Sequence, residues 1–290
     1  MIGHYIANFV MTPPRLSFED VRKADSDGGF SEAFEAYDKE WDRHAFSLGV
    51  KDCTIIGEYI INPKAAEGRK KVAVIAHGIT ANRLAAVKYG KMFYELGYNL
   101  VIFDERYHGE SKASFCTLGY MEPEDIKAVV SFARGIFGQD CFLGLHGESM
   151  GAASCLKALD TLKPDFVVAD CPFSDLDMLI SDMARKKAWI LGGPACKVAA
   201  KLTVKKAGMD YRNTKPIESV KTTDVPVCFM HGAGDSLIDC KHSKRMYEVC
   251  KNPLSELHLY ADADHAFSIV KHPTEYFENL KEFLEKVENI

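Results

Sequence analysis

From residue 46 onward, short apolar runs alternate with amphipathic segments, and that rhythm leaves the chain few architectures to choose from. The runs with strand length and composition are Thr54–Ile61, Val72–Ala76, Asn99–Phe103, Cys141–Leu145, Phe166–Ala169, Val225–Met230 and Glu256–Tyr260. Between most of them apolar residues recur at helical spacing, near 84–96, 122–137, 150–161, 239–251 and 273–288. Lys71-Val-Ala-Val-Ile-Ala76 is apolar without alternation, which suits a strand covered on both faces. Strands that alternate with helices need crossover connections, and these predict an α/β protein with a doubly wound, mostly parallel sheet.

Two stretches stand outside the rhythm. Residues 176–215 separate the strand at 166 from the strand at 225 and read as two helical pieces, Leu176–Ile190 and Pro194–Ala207, joined through Gly192-Gly193. An insertion of this length in a compact domain is usually functional, and a small helical cap over a site is expected. Its lysines and arginines, among them Arg185, Lys201 and Lys206, read as a solvated helix face. Residues 1–50 read as a helical or irregular extension, with Asp25-Ser-Asp-Gly-Gly29 as a loop before a helix over 31–44. The expected division is therefore an extension over 1–50 and one domain over 51–290, with its cap at about 176–215.

Composition excludes several classes. The 36 basic and 41 acidic residues give a net charge of −5, which argues against a dedicated nucleic-acid binder. The nine cysteines are widely spaced, with no C-x-x-C pair and no zinc pattern, so no metal site is expected and a reduced, cytoplasmic protein is. Ile2–Met11 is mildly apolar but too short to span a bilayer, and no stable membrane anchor is expected. No cofactor motif appears, and nothing in the residues sets an oligomeric state.

The chemistry is carried by Phe142-Leu-Gly-Leu-His-Gly-Glu-Ser-Met-Gly-Ala152, which places Gly147-x-Ser149-x-Gly151 between an apolar strand and a helix. A serine on such a sharp strand-to-helix turn is pushed outward, and flanking glycines let the backbone close up. A hydroxyl becomes a good nucleophile only when a histidine takes its proton and a carboxylate orients the histidine. In this architecture acid and histidine follow in that order, each after a later strand. Asp235, in His231-Gly-Ala-Gly-Asp235, and His265, in Asp262-Ala-Asp-His265, occupy those places. Among rival acids, Asp239 falls in the first turn of the next helix, and Asp262 and Asp264 are too close to His265 to be separately anchored. Asp175, after the strand at 166, is the strongest alternative. The backbone amides of Ile79, after His77-Gly78, and Met150 are the expected oxyanion donors. His77, His146 and His231 end strands and are expected to pack there, while Asp104–Ser111 reads as scaffold. The apolar residues of the insertion nominate Met183 and Trp189 as substrate-binding side chains.

These segments, together with His77-Gly-Ile-Thr-Ala-Asn-Arg83 and Asp170-Cys-Pro-Phe-Ser174, resemble the α/β-hydrolase superfamily over about residues 50–290. Within it the chain is similar to single-domain bacterial serine hydrolases related to cinnamoyl and feruloyl esterases and to the prolyl-oligopeptidase catalytic domain. It departs from that pattern at Asp264, where relatives often carry glycine before the histidine. The resemblance implies the α/β-hydrolase fold and a carboxylesterase-type serine hydrolase that cleaves small to medium carboxylic esters. A prolyl-oligopeptidase-like peptidase or aminopeptidase, and a lysophospholipase or thioesterase, are the alternatives it leaves open.

Overall fold

The computed structural model describes residues 1–65, 68–188 and 192–289. Three helices open the chain, α1 (Ile2–Met11), α2 (Phe18–Asp25) and α3 (Ser31–Lys39). The strands are β1 (Asp42–Val50), β2 (Cys53–Ile61), β3 (Lys71–Ala76), β4 (Asn99–Phe103), β5 (Phe142–Glu148), β6 (Phe166–Asp170), β7 (Val227–Gly232) and β8 (Glu256–Tyr260). They form one sheet in the order β1-β2-β4-β3-β5-β6-β7-β8, with β1–β2 and β2–β4 antiparallel and every later pair parallel.

The crossovers are α4 (Val87–Glu95), α5 (Glu122–Phe137) and α6 (Met150–Ala158), and, beyond β6, α7 (Leu176–Ala188), α8 (Gly192–Ala207), α9 (Pro216–Thr222) and α10 (Lys241–Tyr247). The short α11 (Ser268–Lys271) and α12 (Pro273–Glu288) close the chain. Side chains alternate across the sheet and helices cover both faces of its centre, which explains why β3, β4, β5, β6 and β7 are almost wholly buried. Ala73, Ile75, Leu100, Ile102 and Val168 pack with α3, α4 and α12 on one face. Val72, Val74, Val101, Leu143 and Val167 pack with α5 and α6 on the other. A third apolar cluster lies apart from the sheet and joins α1, α7 and α8 to Met150, Phe173 and Ile238.

At the N-terminal end the structure departs from the expected pattern. The helix expected over 31–44 ends at Lys39, and residues 42–50 instead form β1, paired with β2 from Asp42↔Ile61 to Val50↔Cys53. Only Phe46 and Val50 of this strand are buried, so its alternation is faint and the pairing with β2 supplies what local pattern does not. The boundary expected at residue 50 thus falls at the hairpin between two strands of one sheet.

Candidate active site

The carboxyl ends of β3, β5, β7 and β8 carry the candidate residues to one edge, where open α/β sheets bind their ligands. Ser149 follows β5 and takes φ 54° and ψ −111°, a left-handed conformation that no regular element provides. Its amide donates to the Asp170 carbonyl at 2.8 Å, which ties the turn to β6. The flanking glycines answer to close backbone approach. A Cβ on Gly147 would lie 2.4 Å from the Ala152 amide nitrogen, and one on Gly151 would lie 2.4 Å from the Ala76 carbonyl oxygen at the end of β3.

Ser149 Oγ donates to His265 Nε2 at 2.9 Å, and His265 Nδ1 donates to Asp235 Oδ2 at 2.7 Å. The other Asp235 oxygen accepts from the Leu237 and Ile238 amides at 2.9 and 2.7 Å. His231 Nε2 stands 3.2 Å from Asp235 Oδ2 and donates to the Ile238 carbonyl at 2.8 Å. Burial works against the charge on Asp235. The hydrogen bonds from His231 and His265, the charge of His265 and the Ile238 amide outweigh it and hold the carboxyl well below the usual range. For His265 burial alone would lower the pKa. The hydrogen bond and charge of Asp235, with Glu148 and Asp170 nearby, reverse that and raise it above the ordinary histidine value.

The rival acids have other work. Asp175 accepts from the Met178 amide in the first turn of α7 and lies 3.4 Å from Lys215, and Asp239 accepts from the Lys241 amide before α10. Asp264 Oδ1 accepts from the amides of Ser236 and His265, both at 2.8 Å, so it fastens the histidine loop to the acid loop. Sequence reasoning had set Asp264 aside, and its place just before His265 was the signal for this tie.

Ile79 and Met150 line the same hollow as Ser149. Two buried histidines set the backbone of the loop that carries Ile79. His77 Nδ1 donates to the Gly78 carbonyl at 2.7 Å while its Nε2 accepts from the Glu105 amide at 2.9 Å. His108 Nε2 accepts from the Thr80 amide at 3.2 Å. Burial keeps both rings neutral, with His77 lowered to about 4 and His108 to about 3. Arg106, in the segment read as scaffold, pairs with Asp125 at 2.6 Å inside the protein.

Beneath Ser149 lies a largely buried polar network whose partners come from distant segments. Glu148 pairs with Lys88 at 3.1 Å, and Lys88 pairs in turn with Asp25 from the N-terminal extension, also at 3.1 Å. The Tyr89 hydroxyl lies 2.8 Å from Glu148 and 3.0 Å from Asp170. Burial and the neighbouring Glu148 push the Asp170 carboxyl up to about 6.

Among the described residues, two groups bring ligand-type atoms within 4.8 Å of one another. Cys171, Asp235 and His265 form one, but there the acid and histidine are already bonded to each other and to the groups above. Cys228, Glu256 and His258 form the other, and there His258 Nε2 is engaged with Glu256 at 2.9 Å.

Over Ser149 opens a small apolar hollow lined by Ile79, Met150, Leu176, Ile180, Met183 and others. Among the described residues lining it, Ser149 is the one polar side chain. Phe9 of α1 also lines it, a contribution from the extension that nothing in the local sequence indicated. Trp189, the companion of Met183 in the sequence reading, lies outside the described residues. No described helix is long and apolar enough to cross a membrane.

Comparison with known proteins agrees with this geometry. The uncharacterized protein YqkD of Bacillus subtilis (strain 168) is 28% identical over 289 residues, covering 99% of this chain and 93% of that one. The Pyrococcus furiosus esterase Pf2001 superposes with a TM-score of 0.70 at 25% identity, over 87% of this chain and 93% of the esterase. The Pyrococcus horikoshii acylaminoacyl peptidase shares the fold, with a TM-score of 0.64 at 16% identity over 87% of this chain and 43% of its own. The model of the prolyl oligopeptidase family matches residues 91–289, a stretch that includes Ser149, Asp235 and His265. With an α/β-hydrolase sheet and more than half its length matched, the chain belongs to the prolyl oligopeptidase family of serine hydrolases.

Proposed function

We propose that the protein hydrolyses carboxylic esters through an acyl-enzyme on Ser149. Ser149 Oγ bonds to the ester carbonyl carbon while His265 Nε2 accepts its proton, and Asp235 stabilises the imidazolium that forms. The amides of Ile79 and Met150 receive the negative charge on the carbonyl oxygen. Collapse expels the alkoxide, which takes the proton back from His265, and a water activated by the same ring then releases the acid. Residues 51–290 carry this machinery, and the insertion at 176–215 caps it, with Met183 as a substrate-binding side chain.

The observation behind the ester reading is the hollow itself, whose described lining offers no charged or polar side chain besides Ser149. Such a wall suits an apolar acyl group and gives nothing to the amide groups or charged terminus of a peptide. Family membership keeps peptide hydrolysis as the second reading. A panel of p-nitrophenyl esters beside aminoacyl p-nitroanilides tests the two. Ester turnover exceeding amide turnover by orders of magnitude is expected, and the reverse order would overturn the ester reading.

A further inference from the structure

The hollow above Ser149 adjoins a second one. This outer hollow is lined by Ile2, Tyr5, Ile6 and Phe9 of α1 and by Ile180, Met183 and Ala184 of α7. Phe9, Ile180 and Met183 line both hollows. The two therefore read as one apolar groove that begins at Ser149 and runs outward between α1 and α7.

The two faces of α1 are divided in a way that fits this groove. Ile2, Tyr5, Ile6 and Phe9 recur at i, i+3, i+4 and i+7, one apolar stripe of the helix. The small residue Gly3 sits against α8, where a Cβ would come within 2.7 Å of Val198 Cβ and 2.8 Å of the Ala195 carbonyl oxygen. The helix is thus anchored at close range through a small residue, while Ile2, Tyr5, Ile6 and Phe9 wall the groove. On α7, Ile180, Met183 and Ala184 repeat the same spacing from the opposite side.

We propose that α1 is the outer wall of an acyl-chain groove, and that the preferred substrates are esters of unbranched acids of medium chain length. The inference rests on the ester-hydrolase reading and names its substrate class. The acyl carbon is bonded to Ser149 Oγ in both half-reactions, so its chain has to leave from the inner hollow. The outer hollow continues that path with apolar side chains. From Phe9, which lines both hollows, to Ile2 the helix advances about 10 Å, which gives the groove the length of a medium alkyl chain. Each methylene buried along such a wall raises kcat/KM by about fourfold at most.

The test is the chain-length profile of p-nitrophenyl esters from acetate to decanoate, with the full chain and with Ile6→Trp, which fills the groove from α1. Wild type is expected to prefer octanoate to acetate by on the order of 10²-fold in kcat/KM, a value discounted for incomplete burial. Ile6→Trp is expected to cut that ratio at least about tenfold and move the optimum to shorter chains. Ala184→Leu, entering from α7, carries the same expectation should the tryptophan disturb folding. Relative rates of Ser149 labelling by ethyl and octyl fluorophosphonates give the same comparison without turnover. A profile that is flat or falls beyond butanoate, or one that neither variant moves, would overturn the groove while leaving ester hydrolysis in place. A flat profile together with a dimer that Ile6→Trp dissolves would reassign the groove as a contact between two copies. Failure of every ester and of Ser149 labelling would instead defeat the ester reading, and the groove with it.

Discussion

At the scale of single residues, the chain of contacts Ser149–His265–Asp235 makes the sharpest predictions. Ser149→Ala should lower ester hydrolysis by on the order of 10⁴- to 10⁶-fold with an unchanged circular-dichroism spectrum. Fluorophosphonate followed by mass spectrometry should place its adduct on Ser149. Only neutral His265 can take the serine proton, and its pKa is raised in the folded protein. The acid limb of kcat/KM should therefore lie above the ordinary histidine value of about 6.5, with activity lost as pH falls through it. Asp235→Asn removes the group that raises this pKa and leaves the burial that lowers it. The limb should move to lower pH, and kcat should drop by about 10⁴-fold. Asp175→Asn, at a helix start, should reduce stability by no more than ~1 kcal/mol and barely alter turnover. A larger loss of activity from Asp175→Asn than from Asp235→Asn would sink the assignment of the acid.

At the scale of elements, the β5–α6 turn depends on backbone packing as much as on its serine. Gly151→Ala would press a methyl against the carbonyls of Ala76 and His77, and neither backbone group can give way easily. A loss near the top of the ~1–3 kcal/mol range for overpacking is expected in urea unfolding, with slower acylation of Ser149. α4 matters through Lys88, which is buried between Glu148 and Asp25. Lys88→Met would leave the buried Glu148 and the half-buried Asp25 carboxylates without their cation and should cost about 3 kcal/mol, read by the same denaturant titration. Elements were legible where one stretch held its own pattern. The helices near 84–96, 122–137 and 273–288 and the strands from 72 to 260 all carry their periodicity internally. Residues 42–50 did not, because a strand with only Phe46 and Val50 buried is defined by its partner β2.

At the scale of the whole molecule, buried neutral histidines should make the fold sensitive to acid. His77, His108, His146 and His242 are lowered by burial to about 4, 3, 3 and 4. Below the unfolded value of about 6.5 the unfolded chain binds protons that the native state refuses, so stability rises with pH and is lost as pH falls. Each such proton contributes at most about 1.4 kcal/mol per pH unit. Asp170 and Asp125, both raised to about 6, and Glu105, pushed by burial well above its ordinary value, work in the opposite sense and offset much of the effect. Urea unfolding from pH 7 to 5 should show stability dropping by a net amount on the order of 2 kcal/mol, and stability that rises instead would mean these rings are not held neutral.

The sequence alone determined the doubly wound sheet, because continuous apolar strands and helical periodicity are local properties of the chain. It also nominated Ser149, Asp235 and His265, since a tight glycine-flanked turn and residues placed just after strands are written in short stretches. Tertiary structure decided what lies around them. The pairing of Asp25 with Lys88 and of Lys88 with Glu148 joins positions 25, 88 and 148, and the Tyr276 hydroxyl reaches Asp170 from the last helix at 3.1 Å. Phe9 reaches the hollow above Ser149 because α1 packs against α8, nearly two hundred residues away in the chain. Contacts of that kind leave no periodicity in the sequence. They arise only when the sheet has brought its ends together and the leftover apolar faces of α1, α7 and α8 cover one another.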